Sequence, residues 1–220
     1  MSIYEDYEFN EKIHAILINP YLSKKDFDEN IISIKKYNIK NISTSLNYLS
    51  YLKDAFSNTT IKINTLISYP LGDLPINFVK EFILLSKDAG TDKVEYIPKF
   101  FLLENNQEEK FANDIEILSK LDIPITLIFN KKKLNKELFI RAIKISLEIG
   151  VESFQIGDGF GQPLEVDEIK DIIKLLSNNS TIKIVGGINR IRDVKDILDS
   201  GADFIGTSSF VDIFQDLKNS

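Results

Sequence analysis

Short β-rich runs alternate with longer amphipathic stretches from one end of the chain to the other. The runs are Ile13–Ile18, Asn41–Ser45, Ile61–Ser68, Lys93–Ile97, Ile123–Phe129, Ser153–Gly157, Thr181–Val185 and Phe204–Gly206. They recur every 25 to 30 residues or so, roughly the length of one strand-plus-helix unit. Eight such units in 220 residues predict a compact α/β fold, a (β/α)8 TIM barrel. An open doubly wound sheet is the alternative, because alternation alone does not say whether the sheet closes. No linker, composition shift or low-complexity segment interrupts the pattern, so one domain over residues 1–220 is expected.

The intervening stretches have helical periodicity. Ser23-Lys24-Lys25-Asp26 resembles a capping box, and Phe27, Ile31 and Ile34 follow at spacings of four and three. Phe78, Phe82 and Leu85 mark an apolar stripe on another helix, as do Ile115 and Leu118, then Leu138, Ala142 and Ile145, then Val166, Ile169, Ile173 and Leu176. Gly90, Gly150 and Gly201 each sit just past a helical run, where a left-handed residue closes the helix. A strand follows each of them, and this recurrence of helix, glycine and strand points to a parallel architecture.

Composition narrows the chemistry. A formal net charge of -6 argues against a nonspecific nucleic-acid binder, which needs an electropositive face to release counterions. A small anion remains compatible, since a nest of backbone N–H groups binds phosphate whatever the net charge. The absence of cysteine excludes disulfides, thiolate metal sites and a cysteine nucleophile. A single histidine, His14, argues against a multi-histidine metal site or a Ser-His-Asp triad, and no metal or cofactor is expected. The start, Met1–Glu8, is acidic and polar, unlike a signal peptide, and no apolar run approaches the ~18 residues of a membrane span. A cytoplasmic location follows as the expectation, with a homodimer or a protein partner left open.

The strongest local signal lies near the C-terminus. Lys183-Ile184-Val185-Gly186-Gly187-Ile188 is followed, about twenty residues on, by Gly206-Thr207-Ser208-Ser209. Paired glycines at a strand end let the backbone approach a ligand. The second cluster opens a short helix whose free N–H groups favour an anion. Both fall after the last two strands, the usual phosphate position in such barrels. A phosphate-binding set of Gly186, Gly187, Gly206, Thr207, Ser208 and Ser209 is therefore expected. A tight turn and an N-cap are the plainer alternatives.

These motifs resemble the deoxyribose-phosphate aldolases, and the similarity runs nearly the whole chain. Lys183–Ile188 is similar to that family's Lys-x-x-Gly-Gly-Ile/Val, and Gly201–Ser209 to its Gly-Ala-x-x-Ile-Gly-Thr-Ser-Ser ending. Tyr69-Pro70-Leu71-Gly72 resembles its Phe-Pro-Leu-Gly, His14 and Leu17 its first-strand His-Thr-Leu-Leu, and Gly90–Glu95 its Gly-Ala-Asp-Glu-Ile-Asp. The resemblance implies a barrel lyase acting on a phosphorylated sugar. It also exposes departures. Where the family's sixth strand carries the Schiff-base lysine, this chain reads Phe154-Gln155-Ile156-Gly157-Asp158-Gly159-Phe160. The lysine is replaced by Gln155, whose amide nitrogen cannot condense with an aldehyde. The acid beside the first-strand histidine corresponds to Ile13, and the fifth-strand glutamate to Ile128. The fourth-strand aspartate becomes Glu95, and the family's second lysine stays as Lys183.

Strand alternation turns Lys183 into the barrel if Ile182 and Ile184 pack outward, and gives Glu95 the same parity. Lys183 and Glu95 are thus the candidate catalytic pair, with a structural ion pair as the alternative. Gln155 and Asp158 are candidate ligand-binding residues, although a turn-forming role also suits Asp158. His14 reads first as a packed core histidine. Lys99 reads as a strand-end or loop lysine, and Lys131-Lys132-Lys133 as a solvated run. The leading expectation is a relative of the aldolases that binds a phosphorylated metabolite without the standard Schiff base. The alternatives are an active aldolase or lyase using Lys183 as amine or acid/base, and a different phosphate-binding barrel enzyme.

Overall fold

The computed structural model describes residues 9–160 and 163–219; the acidic stretch Met1–Glu8 lies outside them. The chain enters through α1 (Phe9–Lys12) and β1 (Ile13–Leu17), then α2 (Lys24–Lys36), β2 (Asn41–Ser45), α3 (Leu46–Ala55) and β3 (Lys62–Ile67). It continues through α4 (Ile76–Asp88), β4 (Lys93–Tyr96), α5 (Phe101–Glu104), α6 (Glu108–Ser119), β5 (Ile125–Phe129) and α7 (Lys136–Glu148). The last part comprises β6 (Ser153–Gly159), α8 (Val166–Leu175), β7 (Thr181–Gly186), α9 (Ile191–Asp199), β8 (Phe204–Thr207) and α10 (Phe210–Asn219).

All eight strands pair in parallel with their sequence neighbours, and β8 pairs back onto β1 to close the barrel. The expected (β/α)8 fold is therefore the fold found, and the open sheet is excluded. Outward side chains such as Ile42, Val94, Phe129, Phe154, Ile184 and Ile205 pack with the helices in one continuous apolar shell. A separate trio, Leu66, Ile97 and Ile128, packs inside the barrel toward the C-terminal strand ends. The middle of the lumen is polar, with Ser43, Asn64, Glu95, Gln155 and Lys183 all buried.

Local signals account for the frame. Ser23 caps α2 reciprocally with Asp26: the Asp26 N–H donates to Ser23 Oγ at 3.2 Å, and the Ser23 N–H to Asp26 Oδ2 at 3.3 Å. Gly90, Gly150 and Gly201 all take positive φ at helix ends, as expected. Three details differ from the sequence reading. Helix α4 buries Val79, Ile83 and Ser86, whereas Phe78 and Leu85 are exposed. Its sequence carries two apolar stripes, and Ser86 suits the inner one because its hydroxyl bonds back to the carbonyls of Phe82 and Ile83. Strand β5 begins at Ile125, after Pro124, which has no N–H to give to a ladder.

Strand β6 runs two residues further than expected, with a register shift against β7 between Ile156 and Gly159. Gly157 makes this shift feasible. It has φ 98°, and a Cβ there would stand 1.9 Å from the carbonyl oxygen of Val185. No other residue fits so close to the neighbouring strand.

Candidate active site

A cavity of about 1060 Å3 opens at the C-terminal mouth of the barrel. Its walls are the loops after β1, β2, β3, β6, β7 and β8, and its floor is the middle of the lumen, including Ser43, Glu95 and Gln155. All six residues of the expected phosphate set line it: Gly186, Gly187, Gly206, Thr207, Ser208 and Ser209. Gly186 and Gly187 have φ of 116° and 68°. At Gly206 a Cβ would meet Val185 Cγ2 at 2.8 Å, so a bare backbone is needed where β8 passes under the rim. Thr207 is buried and its hydroxyl is already engaged. It donates to the Ile188 carbonyl at 2.6 Å and accepts from the Ser209 N–H at 3.0 Å. Ser208 and Ser209 make no side-chain hydrogen bond among the described residues and lie directly ahead of α10.

Lys183 points into the barrel, since Ile182 and Ile184 face the helical shell. Its ammonium donates to Glu95 Oε1 and, at 3.2 Å, to Ser43 Oγ; the Ser43 hydroxyl donates to the same Glu95 oxygen at 2.9 Å. The lysine side chain is 4% exposed and that of Glu95 1%. Burial pulls the Lys183 amine below its usual range, and the attraction of Glu95 opposes this only in part. Glu95 borders the mouth cavity, and its second oxygen, Oε2, has no hydrogen-bond partner among the described residues. Lys183 instead borders a smaller cavity on the opposite side of Glu95.

Gln155 also faces the lumen, in register with Lys183 on β7 and Ile128 on β5. Its amide nitrogen donates to the Gly157 carbonyl at 2.9 Å, while Oε1 is buried without a partner among the described residues. Asp158 lies at the tip of β6. Its carboxylate takes the Lys133 ammonium on one oxygen and the Phe160 N–H, at 3.1 Å, on the other. Burial alone would raise this carboxyl, but hydrogen bonds from Lys133, Asn130 and Phe160 outweigh it and hold the pKa below the usual carboxylate range. Asp158 thus combines a place in the cavity wall with the turn-forming role. Tyr69 closes the same side: its hydroxyl donates to the Asp158 carbonyl at 2.8 Å, and its ring stacks on Phe160.

Several expected side chains sit elsewhere. Ile13 is buried in the outer shell, so position 13 does not reach the lumen. His14 does, but at the end away from the mouth cavity, with its ring 5.0 Å from Phe204. Burial first, then the charges of Lys183 and Lys93, hold it well below its usual pKa, and it is neutral. The run Lys131–Lys133 is not merely solvated. Lys131 pairs with Glu168 at 3.0 Å, Lys132 donates to the Pro163 carbonyl at 3.0 Å, and Lys133 pairs with Asp158. Together they fasten the loop after β5 to the tip of β6, to the segment that follows it and to the first turn of α8. Lys99 is paired with Asp114 of α6 at 2.7 Å, both side chains 12% exposed. It is a buried tie between the loop after β4 and the helical shell.

Ser43 is the site residue that sequence reasoning missed. Asn41, Ser43 and Ser45 occupy every inward position of β2, and this polar alternation was the available signal. Among the described residues no helix is long and apolar enough to cross a membrane.

No family model matches the chain. Curated relatives do. A deoxyribose-phosphate aldolase from Mycoplasmopsis pulmonis is 26% identical over 211 residues, 94% of this chain and 96% of that one. Those from Mycoplasma mobile and Staphylococcus carnosus are 24% and 25% identical, each match covering 98% of the relative and at least 95% of this chain. Among solved structures, an aldolase named QR15 superposes with TM-score 0.87 at 18% identity, covering 96% of both chains. A tetrameric deoxyribose phosphate aldolase from Aeropyrum pernix gives 0.84 at 18% identity, covering 94% of this chain and 89% of that one. The solved structures agree on the barrel, the curated sequences match from end to end, and the chain is a distant relative of the deoxyribose-phosphate aldolases.

Proposed function

We propose that this protein binds a phosphorylated sugar, or a similar phosphorylated metabolite, in the C-terminal mouth and does not carry out standard Schiff-base aldolase chemistry. One observation carries the reading: an amide, Gln155, holds the lumen position beside Lys183, while the glycine-rich loops after β7 and β8 line the cavity. In this arrangement the phosphate lies against the backbone of Gly186, Gly187 and Gly206 and the hydroxyls of Ser208 and Ser209. The start of α10 adds the favourable field of a helix N-terminus. The carbon chain extends toward Glu95 and Gln155. The unpartnered oxygens of both accept hydrogen bonds from sugar hydroxyls, and those bonds offset the cost of leaving two buried acceptors unsatisfied.

A second reading rests on the Lys183–Glu95 pair. An amine depressed by burial is a better nucleophile and proton carrier at neutral pH than a free lysine. Against it, Lys183 borders the far cavity and its ammonium is held by Glu95 and Ser43. Intact-mass analysis after incubation with deoxyribose 5-phosphate, or separately acetaldehyde, with borohydride decides between the two. The expected result is no adduct, together with thermal stabilisation by the phosphosugar. An adduct at Lys183 would overturn the non-covalent reading in favour of a relocated amine. The absence of both adduct and stabilisation would leave another phosphate-binding barrel activity in its place. As a positive control, Gln155→Lys is expected to create a trappable amine at residue 155.

A further inference from the structure

We propose that the opposite, N-terminal mouth of the barrel binds a small inorganic oxyanion of the phosphate or sulfate class. A second cavity of about 240 Å3 lies there, lined by the first residues of the strands and sharing only Glu95 with the upper one. Water occupies ~30 Å3 per molecule, so this space holds one tetrahedral anion with a few waters.

The cavity carries more cation than its own acids can balance. Lys93 is half-buried, and among the described residues its ammonium makes one hydrogen bond, to the hydroxyl of Ser153 at 3.4 Å. It forms no ion pair among the described residues. Lys62 lines the same space, also without an ion pair among the described residues, and Lys12 stands 5.6 Å over the Phe204 ring that forms one wall. Both acids in the lining already have a cation partner, Glu95 through Lys183 of the same lining. Asp92 accepts from Lys53 at 3.2 Å and from the Ile63 N–H at 2.9 Å, and Glu95 is held by Lys183 and Ser43. An ammonium drawn partly out of water without a counter-charge is costly, and a bound anion removes that cost. In keeping with this crowding, Lys93 titrates below its usual range: burial is the largest cause, and Lys183 and Lys62 add to it against the attraction of Glu95.

His14 supplies an independent sign. It is 7% exposed, and the Asn64 amide nitrogen faces its Nδ1 at 3.5 Å. With Nδ1 as acceptor, the proton of the neutral ring sits on Nε2. That nitrogen is buried and has no partner among the described residues, although the ring lines the cavity. A donor in this position, next to an unpaired ammonium, suits an oxyanion and does not suit a cation.

His14 is the only histidine in the chain, so its imidazole resonances report on this cavity alone in a tag-free protein. Sodium phosphate, titrated at constant ionic strength against chloride, is expected to shift the His14 signals saturably, with sulfate competing. Lys93→Gln is expected to weaken the response roughly tenfold or more, through loss of a charge-assisted hydrogen bond. Lys62→Gln at the rim is expected to weaken it severalfold, and it carries the test if the first variant does not fold. The double variant Ser208→Ala, Ser209→Ala, at the other mouth, is expected to leave it unchanged. Three results would each overturn the proposal: no saturable shift at His14, an unchanged response in a natively folded Lys93→Gln protein, or loss of the response in the serine double variant. The first two results leave phosphosugar binding at the upper mouth untouched, and the third would move the phosphate to that mouth.

Discussion

The outward faces of the eight strands carry an apolar layer that runs unbroken around the barrel. Their inward faces carry a glutamate, lysines, a histidine, amides and hydroxyls, with apolar side chains such as Leu66, Ile128, Val185 and Phe204 interspersed among them. Barrel interiors are more often filled by layers of branched aliphatic side chains. The contrast assigns separate tasks to the two faces of one set of strands. Burial in the shell supplies the favourable free energy of folding, at about 25 cal/mol per Å2 of apolar surface. The lumen spends part of that gain to keep polar groups out of water, within reach of a cavity at either end.

If the shell carries stability, the largest loss should come from opening a hole in it. Phe154 is fully buried between the barrel and the helices, and Phe154→Ala is expected to cost about 3–5 kcal/mol in urea denaturation. A cost below about 1 kcal/mol would mean that the shell is not closely packed there.

The next effect belongs to the lumen. Glu95→Leu leaves the Lys183 ammonium buried without its counter-charge, and a loss of about 3 kcal/mol is expected. The double variant Glu95→Leu, Lys183→Met is expected to recover most of that loss, since an apolar pair needs no compensation. Failure of the double variant to recover would show that the pair specifies the shape of the lumen as well as its charge.

The smallest effect is a pH dependence. His14 is held neutral, with its folded pKa well below the ordinary 6.5. As pH falls through 6.5 the unfolded chain takes up a proton that the folded protein refuses. The stability tied to this group is therefore complete above about 6.5 and is lost progressively below it, at no more than about 1.4 kcal/mol per pH unit. Denaturation at pH 7.5 and 5.5 should show a larger drop in the wild-type protein than in His14→Leu. Equal drops would place the ring in a solvated setting and blur the distinction between the two faces.

Much of this arrangement was legible in the residues themselves. Strand and helix alternate with a period that eight parallel units satisfy, and Ile182 and Ile184 fixed the inward parity of Lys183. The two glycine-rich segments announced the loops that line the mouth. What stayed hidden were pairings between distant parts of the chain. Ser43 and Lys183 are 140 residues apart, and nothing local in β2 says which strand its hydroxyl will meet. The ties from Lys133 to Asp158 and from Lys99 to Asp114 were invisible for the same reason. The second apolar stripe of α4 misled differently, because periodicity reports that a face is apolar and not that it is inward.

One hydroxyl at the mouth reaches beyond its own strand. Thr207 fastens the loop after β7, through the Ile188 carbonyl, to the segment that opens α10, through the Ser209 N–H. The two halves of the rim are thus coupled before any ligand arrives, and little conformational freedom remains to be surrendered on binding. For the phosphorylated ligand proposed above, recognition at such a rim would be rigid-body recognition. Its selectivity would then come from the fixed spacing of the backbone groups, and a ligand that needed them further apart would be refused rather than accommodated.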